Sequence, residues 1–265
     1  KDFSKDHFFK IQQDHYFGDS EIFNSKLMNK IEAEDNKIKL NMIHKYLGSL
    51  SKVLEIGPGS GSFAKLLEDL QFDITLVEES SVLSKSLTRI IKGKVINKNL
   101  SEYKTDEMYN AVCSFQVIEH VIDLNQHLKD IKTLLKPKGL IFLTTPNADS
   151  FEHKLPFLLS PNFDSAHLYV FSRNSLKLLL KKSGFELLEI TTPECSSSWL
   201  RVASKILRRI KGKSEVETAG EYIQNSSLLY QTIFNSFKIM SLPLRYIQSK
   251  IGRGNDIFIV ARKII

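Results

Sequence analysis

The stretch Val53-Leu54-Glu55-Ile56-Gly57-Pro58-Gly59-Ser60-Gly61-Ser62-Phe63 restricts the fold of this chain more than any other. Val53 to Ile56 reads as a short buried strand, and Phe63 to Leu70 as a helix. Three glycines on alternate positions join them. Glycine permits a tight turn and lets a ligand approach the backbone closely. The helix start adds unpaired N–H donors. The spacing is G-x-G-x-G, whereas a dinucleotide fingerprint wants its third glycine where Ser62 stands. Two acids flank the turn. Glu55 lies inside the strand, and Glu78 ends a second strand, Ile74 to Val77, about 20 residues on. A carboxylate at that strand end can accept both hydroxyls of a ribose, so the spacing predicts a nucleoside-bearing ligand.

From Lys52 onward strands and helices alternate, which predicts a parallel sheet with helices on both faces. The later strands are Lys94–Asn97, Ala111–Phe115, Leu140–Leu143, Phe185–Ile190 and Asp256–Ala261. The later helices cover Ser81–Ile91, a stripe at Leu124, Leu128, Ile131 and Leu135 that stops at Lys136-Pro137-Lys138-Gly139, and a helix capped by Ser172 that ends at Gly184. Ile38, Met42, Ile43 and Tyr46 predict a helix leading into the first strand. More than 60 residues separate the last two strands. That is too long for a structureless loop, so they are expected to form helices of their own. The expected division is a helical arm over 1–50, a ligand-binding core over 51–195, a helical cap over 196–253 and the last core strand over 254–265.

No apolar run reaches the roughly 18 residues a spanning helix needs. Residues 1–13 are charged and polar with no apolar signal core, and Cys113 and Cys195 lack metal-ligand spacing, so a cytoplasmic protein is expected. The net charge of +7 is local. Residues 196–253 hold ten Lys or Arg against three Glu, which accounts for all of it.

With the glycine turn and both acids in place, the chain resembles the class I S-adenosylmethionine-dependent methyltransferases over nearly its whole length. The resemblance implies a Rossmann-like α/β fold, a seven-stranded mostly parallel sheet with an antiparallel last strand. It implies S-adenosylmethionine as cofactor, bound through Glu55, Gly57, Pro58, Gly59, Gly61, Glu78 and Glu79. Asn99 and Leu100 stand where the family often places an adenine contact. Phe115-Gln116-Val117-Ile118-Glu119-His120 looks like the fourth-strand motif, with Phe115, Gln116 and Val117 toward the methionine end. Leu135–Leu140 and Thr144-Thr145-Pro146-Asn147 look like the approach to and exit from the fifth strand. His167-Leu168-Tyr169-Val170-Phe171-Ser172 resembles a segment of the subgroup containing ubiquinone-pathway O-methyltransferases and glycan-cluster methyltransferases.

Methyl transfer from a sulfonium is a direct displacement, so alignment and exclusion of water matter most. A hydroxyl nucleophile gains from a base that titrates near neutrality, usually histidine. His120 follows the fourth strand and His167 lies in the loop after the fifth. Each is a candidate base, and each has packing or loop-ordering as its alternative role. His15 in the arm is a third candidate, and His7, His44, His127 and His153 are expected at the surface. Some ubiquinone-type relatives hold a divalent metal with two acids and a histidine of the fourth-strand motif. Glu119 and His120 match, but Gln116 replaces the first acid, so no required metal is expected.

Trp199, Val202, Ile206 and Ile210 share one helical face, and Arg201, Lys205 and Arg208 another. Residues 198–211 could therefore make peripheral contact with an anionic membrane or form a lid over the sheet. Leu228, Ile233, Phe237 and Met240 predict a further helix ending near Pro243. The positive charge also suits a phosphorylated acceptor. The expected activity is O-methylation of a sugar, sugar-phosphate or glycan precursor. Its alternatives are a quinone-like or lipid acceptor at a membrane, and a cofactor-binding protein without turnover. Nucleic acid is a poor fit as acceptor. Thr145-Pro146-Asn147 replaces the Asp/Asn-Pro-Pro-aromatic motif, and the basic segment lacks an aromatic platform for bases.

Overall fold

The computed structural model describes residues 26–154, 167–194, 236 and 239–264, with side chains from residue 32 except those of 152 and 154. The sequence expectations for His7, His15, Cys195, Leu228, Ile233, Phe237 and residues 198–211 lie outside them. In order the elements are α1 (Lys26–Tyr46), β1 (Lys52–Ile56), α2 (Ser62–Asp69), β2 (Asp73–Val77), α3 (Ser81–Ile90), β3 (Lys94–Ile96), β4 (Tyr109–Phe115), α4 (Leu124–Leu134), β5 (Leu135–Pro146), α5 (Phe151–Lys154), α6 (Arg173–Lys182), β6 (Phe185–Thr191), α7 (Leu242–Lys250) and β7 (Asp256–Lys263). Single 3-10 turns cover Leu100–Glu102 and Ile118–His120.

The seven strands form one sheet in the order β3-β2-β1-β4-β5-β7-β6. The pairs β1–β2, β2–β3, β1–β4 and β4–β5 are parallel, and β6–β7 is antiparallel. After β1 the chain moves outward on one side to β2 and β3, then returns to lay β4 on the other side. That switch opens a crevice beyond the carboxyl ends of the central strands, where open α/β sheets take their ligands.

Alternation along the strands builds two cores, one per face. Leu54, Ile56, Val112, Ile141 and Leu143 pack in one cluster with Leu128, Ile131, Leu176 and Leu180 from α4 and α6. Val53, Ala111, Cys113, Leu140 and Phe142 pack in the other with Ile43, Phe63, Leu67 and Leu87 from α1, α2 and α3. Both faces are covered, so the central strands read as nearly continuous apolar runs.

The chain divides into two compact units. The sheet unit comprises 36–147, 168–191 and 257–265. The second unit takes 1–35, 148–167 and 192–256. Within the second unit, Arg253 Nη1 donates to Asp149 O at 2.8 Å and Asn255 N–H to Glu194 Oε2 at 2.8 Å. Thr192 Oγ1 donates to Ser249 O at 3.2 Å, which ties α7 to the segment at 192–194.

Two sequence expectations need correction. Leu135 does not end the α4 stripe. It opens β5 and pairs with Tyr109, and the register shifts before Ala111 pairs with Leu140, with Lys138 at φ 62° inside that irregular part of the strand. No helix is expected from the sequence after Pro243, yet α7 starts at Leu242 with Pro243 in its first turn, where the missing N–H costs no hydrogen bond.

Candidate active site

The glycine turn leaves β1 with Gly57 N–H donating to Val77 O at 3.0 Å, which fixes it against the end of β2. Gly61 N–H closes the loop on Pro58 O at 3.0 Å. Gly57, Gly59 and Gly61 have φ of 63°, 56° and 75°, a region that L side chains rarely occupy. A Cβ on Gly57 would stand 2.8 Å from Val117 Cγ2, and one on Gly61 would strike Leu87. Gly59 differs, because its missing Cβ faces open space. The turn is thus packed on both sides and bare in the middle, where a ligand can lie on the backbone. Gly61 starts α2 without a side-chain cap, and Ser62 N–H reaches Ser60 Oγ at 3.3 Å.

Two buried carboxylates flank this cradle. Glu55 is 3% exposed, and its Oε2 has no hydrogen-bond partner among the described residues. Burial pushes its pKa up to about 7, against the pull of the Lys39 ammonium. Glu78 is 7% exposed at the end of β2. Its Oε1 accepts from Ser80 N–H at 2.8 Å. Burial raises its pKa, the amides of Ser80 and Gly59 pull it down, and Glu79 nearby pushes it up. Asn97 donates to the carbonyls of Glu78 and Glu79 at 2.9 and 3.0 Å, which holds the strand end to β3. Asn99 donates to Glu79 Oε2 at 2.8 Å and accepts from Ser101 N–H, capping the turn in which Leu100 is buried.

At the other end of the crevice, Phe115 stands edge-on to Phe63, centroids 5.2 Å apart. Gln116 adopts φ 55° and its N–H donates to Thr144 O at 2.9 Å, so the chain turns sharply out of β4. Val117 leads into the turn that carries His120, whose N–H donates to Val117 O at 2.9 Å. Glu119, fully buried, accepts from Thr145 Oγ1 at 3.0 Å and fastens this turn to β5. Its carbonyl takes the N–H groups of Leu168 and Tyr169 at 2.9 and 3.2 Å. His120 is half-buried and belongs to the sheet unit. His167 is half-buried and belongs to the second unit. His127, expected at the surface, is mostly buried, and burial lowers its pKa to about 4.

Sequence reasoning missed Lys39. Its Nζ lies 4.9 Å from the Phe115 centroid and 5.6 Å from that of Phe63, within cation–π range. Three residues earlier, Asn36 Nδ2 donates to Ser62 Oγ at 3.0 Å. Helix α1 therefore lies along the cradle and brings a cation to the Glu55 side of it. The available signal was a lysine beside the apolar stripe of Ile38, Met42 and Ile43.

Comparison with known proteins agrees with this geometry. A family model described as a methyltransferase domain matches residues 28–190. The mitochondrial ubiquinone biosynthesis O-methyltransferase of Dictyostelium discoideum is 26% identical over 138 residues, covering 46% of this chain and 43% of that protein. The chain spans about half the length of the curated relatives it matches. Among solved structures, a protein of Galdieria sulphuraria provisionally assigned as a sarcosine dimethylglycine methyltransferase superposes with a TM-score of 0.62 at 15% identity, covering 97% of this chain and 98% of that one. The N-methyltransferase NodS of Bradyrhizobium japonicum, in complex with S-adenosyl-L-homocysteine, gives 0.54 at 12% identity, with 97% of each chain covered. At these identities the two structures show the fold.

Proposed function

The chain belongs to the methyltransferase family whose model spans residues 28–190, and from that membership we propose that it transfers a methyl group from S-adenosylmethionine to a hydroxyl of a small molecule. The observation that carries this reading is the pair of buried acids, Glu55 and Glu78, on either side of a glycine turn whose centre is open. The cofactor fits these residues. Glu78 would take the ribose hydroxyls, and Gly57, Pro58, Gly59 and Gly61 would let the nucleoside lie on bare backbone. Glu79, Asn99 and Leu100 would border the base. Glu55 has an unpartnered oxygen for the methionine end, which Phe115, Gln116 and Val117 would border. When bound, the cofactor supplies an electrophilic methyl on a sulfonium.

The chain's own residues would hold the acceptor in line and keep water out. The Phe63–Phe115 pair provides an apolar wall for that. His120, on the turn after β4, would take the proton of the acceptor hydroxyl, with His167 as the second candidate. Hydroxyl rather than amine chemistry is favoured by the curated relatives named as O-methyltransferases. For the acceptor we infer a sugar, sugar-phosphate or glycan precursor, supported by the basic excess of 196–253, which suits a phosphorylated group. A quinone-like acceptor is the second reading, favoured by the named role of those relatives in ubiquinone biosynthesis.

The test is release of S-adenosylhomocysteine by the full chain over a panel of sugar phosphates, glycan precursors and dihydroxyphenols. Turnover on one class identifies the acceptor. His120→Ala is expected to lower kcat on that acceptor by about 10²–10⁴ while cofactor affinity is unchanged. Unaltered kcat would move the base elsewhere, and turnover on none of the panel by a protein that binds the cofactor would support a non-catalytic role.

A further inference from the structure

We propose that the outward face of α7 and the turn before it, residues 239–251, docks on a membrane surface carrying anionic lipid. In α7, Arg245 and Gln248 are buried. The opposite side is apolar and exposed. Leu242, Leu244, Tyr246 and Ile247 lie bare on the helix, with Ile239 and Met240 before it and Ile251 after it. Seven large apolar side chains exposed within thirteen residues is more than scattered surface hydrophobics, and contiguous patches of this kind mark interaction sites.

Charge selects the occupant. Residues 222–255 contain no Asp or Glu, and they carry Lys238, Arg245, Lys250 and Arg253. An anionic surface therefore meets no like charge anywhere along this stretch. A second copy docking through the same face would set cation against cation, with no acid to offset it. Among the described cations Lys250 is exposed, and its Nζ lies 5.4 Å from the centroid of the exposed Tyr246 ring. An aromatic ring and a lysine side by side suit the water–lipid boundary, where the ring and the lysine stem enter the apolar zone and the ammonium reaches the headgroups. Nine residues of helix with one apolar face lie in such an interface rather than cross it. No helix among the described residues is long and apolar enough to cross a membrane. The contact expected from sequence at 198–211 is a different segment, and docking through 239–251 needs neither it nor methyl transfer.

Co-sedimentation of the full chain with phosphatidylcholine vesicles, with and without phosphatidylglycerol, tests this directly. Binding is expected to the phosphatidylglycerol vesicles and to weaken at high salt. Met240→Asp/Ile247→Asp alters exposed positions only, and is expected to cut the partition coefficient about tenfold or more with thermal unfolding unchanged. Lys250→Glu, in a second variant, should lower it about fivefold or more. Absence of binding to phosphatidylglycerol vesicles would overturn the proposal. So would equal binding by the double variant, or a concentration-dependent dimer in light scattering that the aspartates dissolve.

Discussion

Glu55 illustrates how far a single side chain couples fold to site. It belongs to the strand face that packs against α1 and α2, so its carboxyl is folded into an apolar layer with Lys39 as the opposing charge. Its pKa rises from 4.5 to about 7 on folding. Between those values the folded state holds a proton that the unfolded state releases. The stabilisation is therefore complete below pH 4.5, falls as pH rises toward 7, and is gone above it. The span corresponds to about 3 kcal/mol. Glu55→Gln removes this dependence. Denaturant unfolding at several pH values between 4.5 and 8 should show the variant gaining about that much relative to the unliganded wild type as pH increases. A difference that does not change with pH would refute the burial of a titrating carboxyl. The glycines and both acids were legible in the sequence because positive φ and ligand-facing charge demand particular residue types. Lys39 was not, since its role exists only once α1 lies against Phe63 and Phe115.

Elements were legible where one local signal decides them. Ser172 predicts a helix start, and α6 begins there with a complete capping box: Ser172 Oγ accepts from Ser175 N–H at 3.1 Å, and Ser175 Oγ accepts from Ser172 N–H at 2.9 Å. Ser172→Ala should cost about 1 kcal/mol, read as a fall in Tm of about 2–4 °C. An unchanged Tm would mean that packing of Leu176 and Leu180 alone holds the helix. Where two signals overlap, the sequence misleads. Leu135 continues the four-residue spacing of α4, yet its backbone is claimed by Tyr109 across β4, a contact invisible to local periodicity. Pro243 reads as a stop, but a proline is equally at home in the first turn of a helix.

At the scale of the whole molecule, alternation of strands and helices forces a parallel sheet. The reversal of strand order at β1 then places the glycine turn, Glu55 and Glu78 at one crevice. That much follows from the sequence, because every βαβ unit in it is short and right-handed connection is nearly obligatory. The division into two units does not. It depends on long-range contacts of 148–167 and 192–256, segments that the sequence separates by the whole of α6 and β6. The central claim is that the crevice holds S-adenosylmethionine through the acid at the end of β2. Calorimetric titration of S-adenosylhomocysteine into wild type and Glu78→Ala tests it most directly. Micromolar binding that weakens at least about tenfold in a variant of unchanged Tm is the predicted result, the loss of a charge-assisted hydrogen bond. A folded wild type that takes up no ligand, or a variant that binds as tightly as wild type, would contradict it.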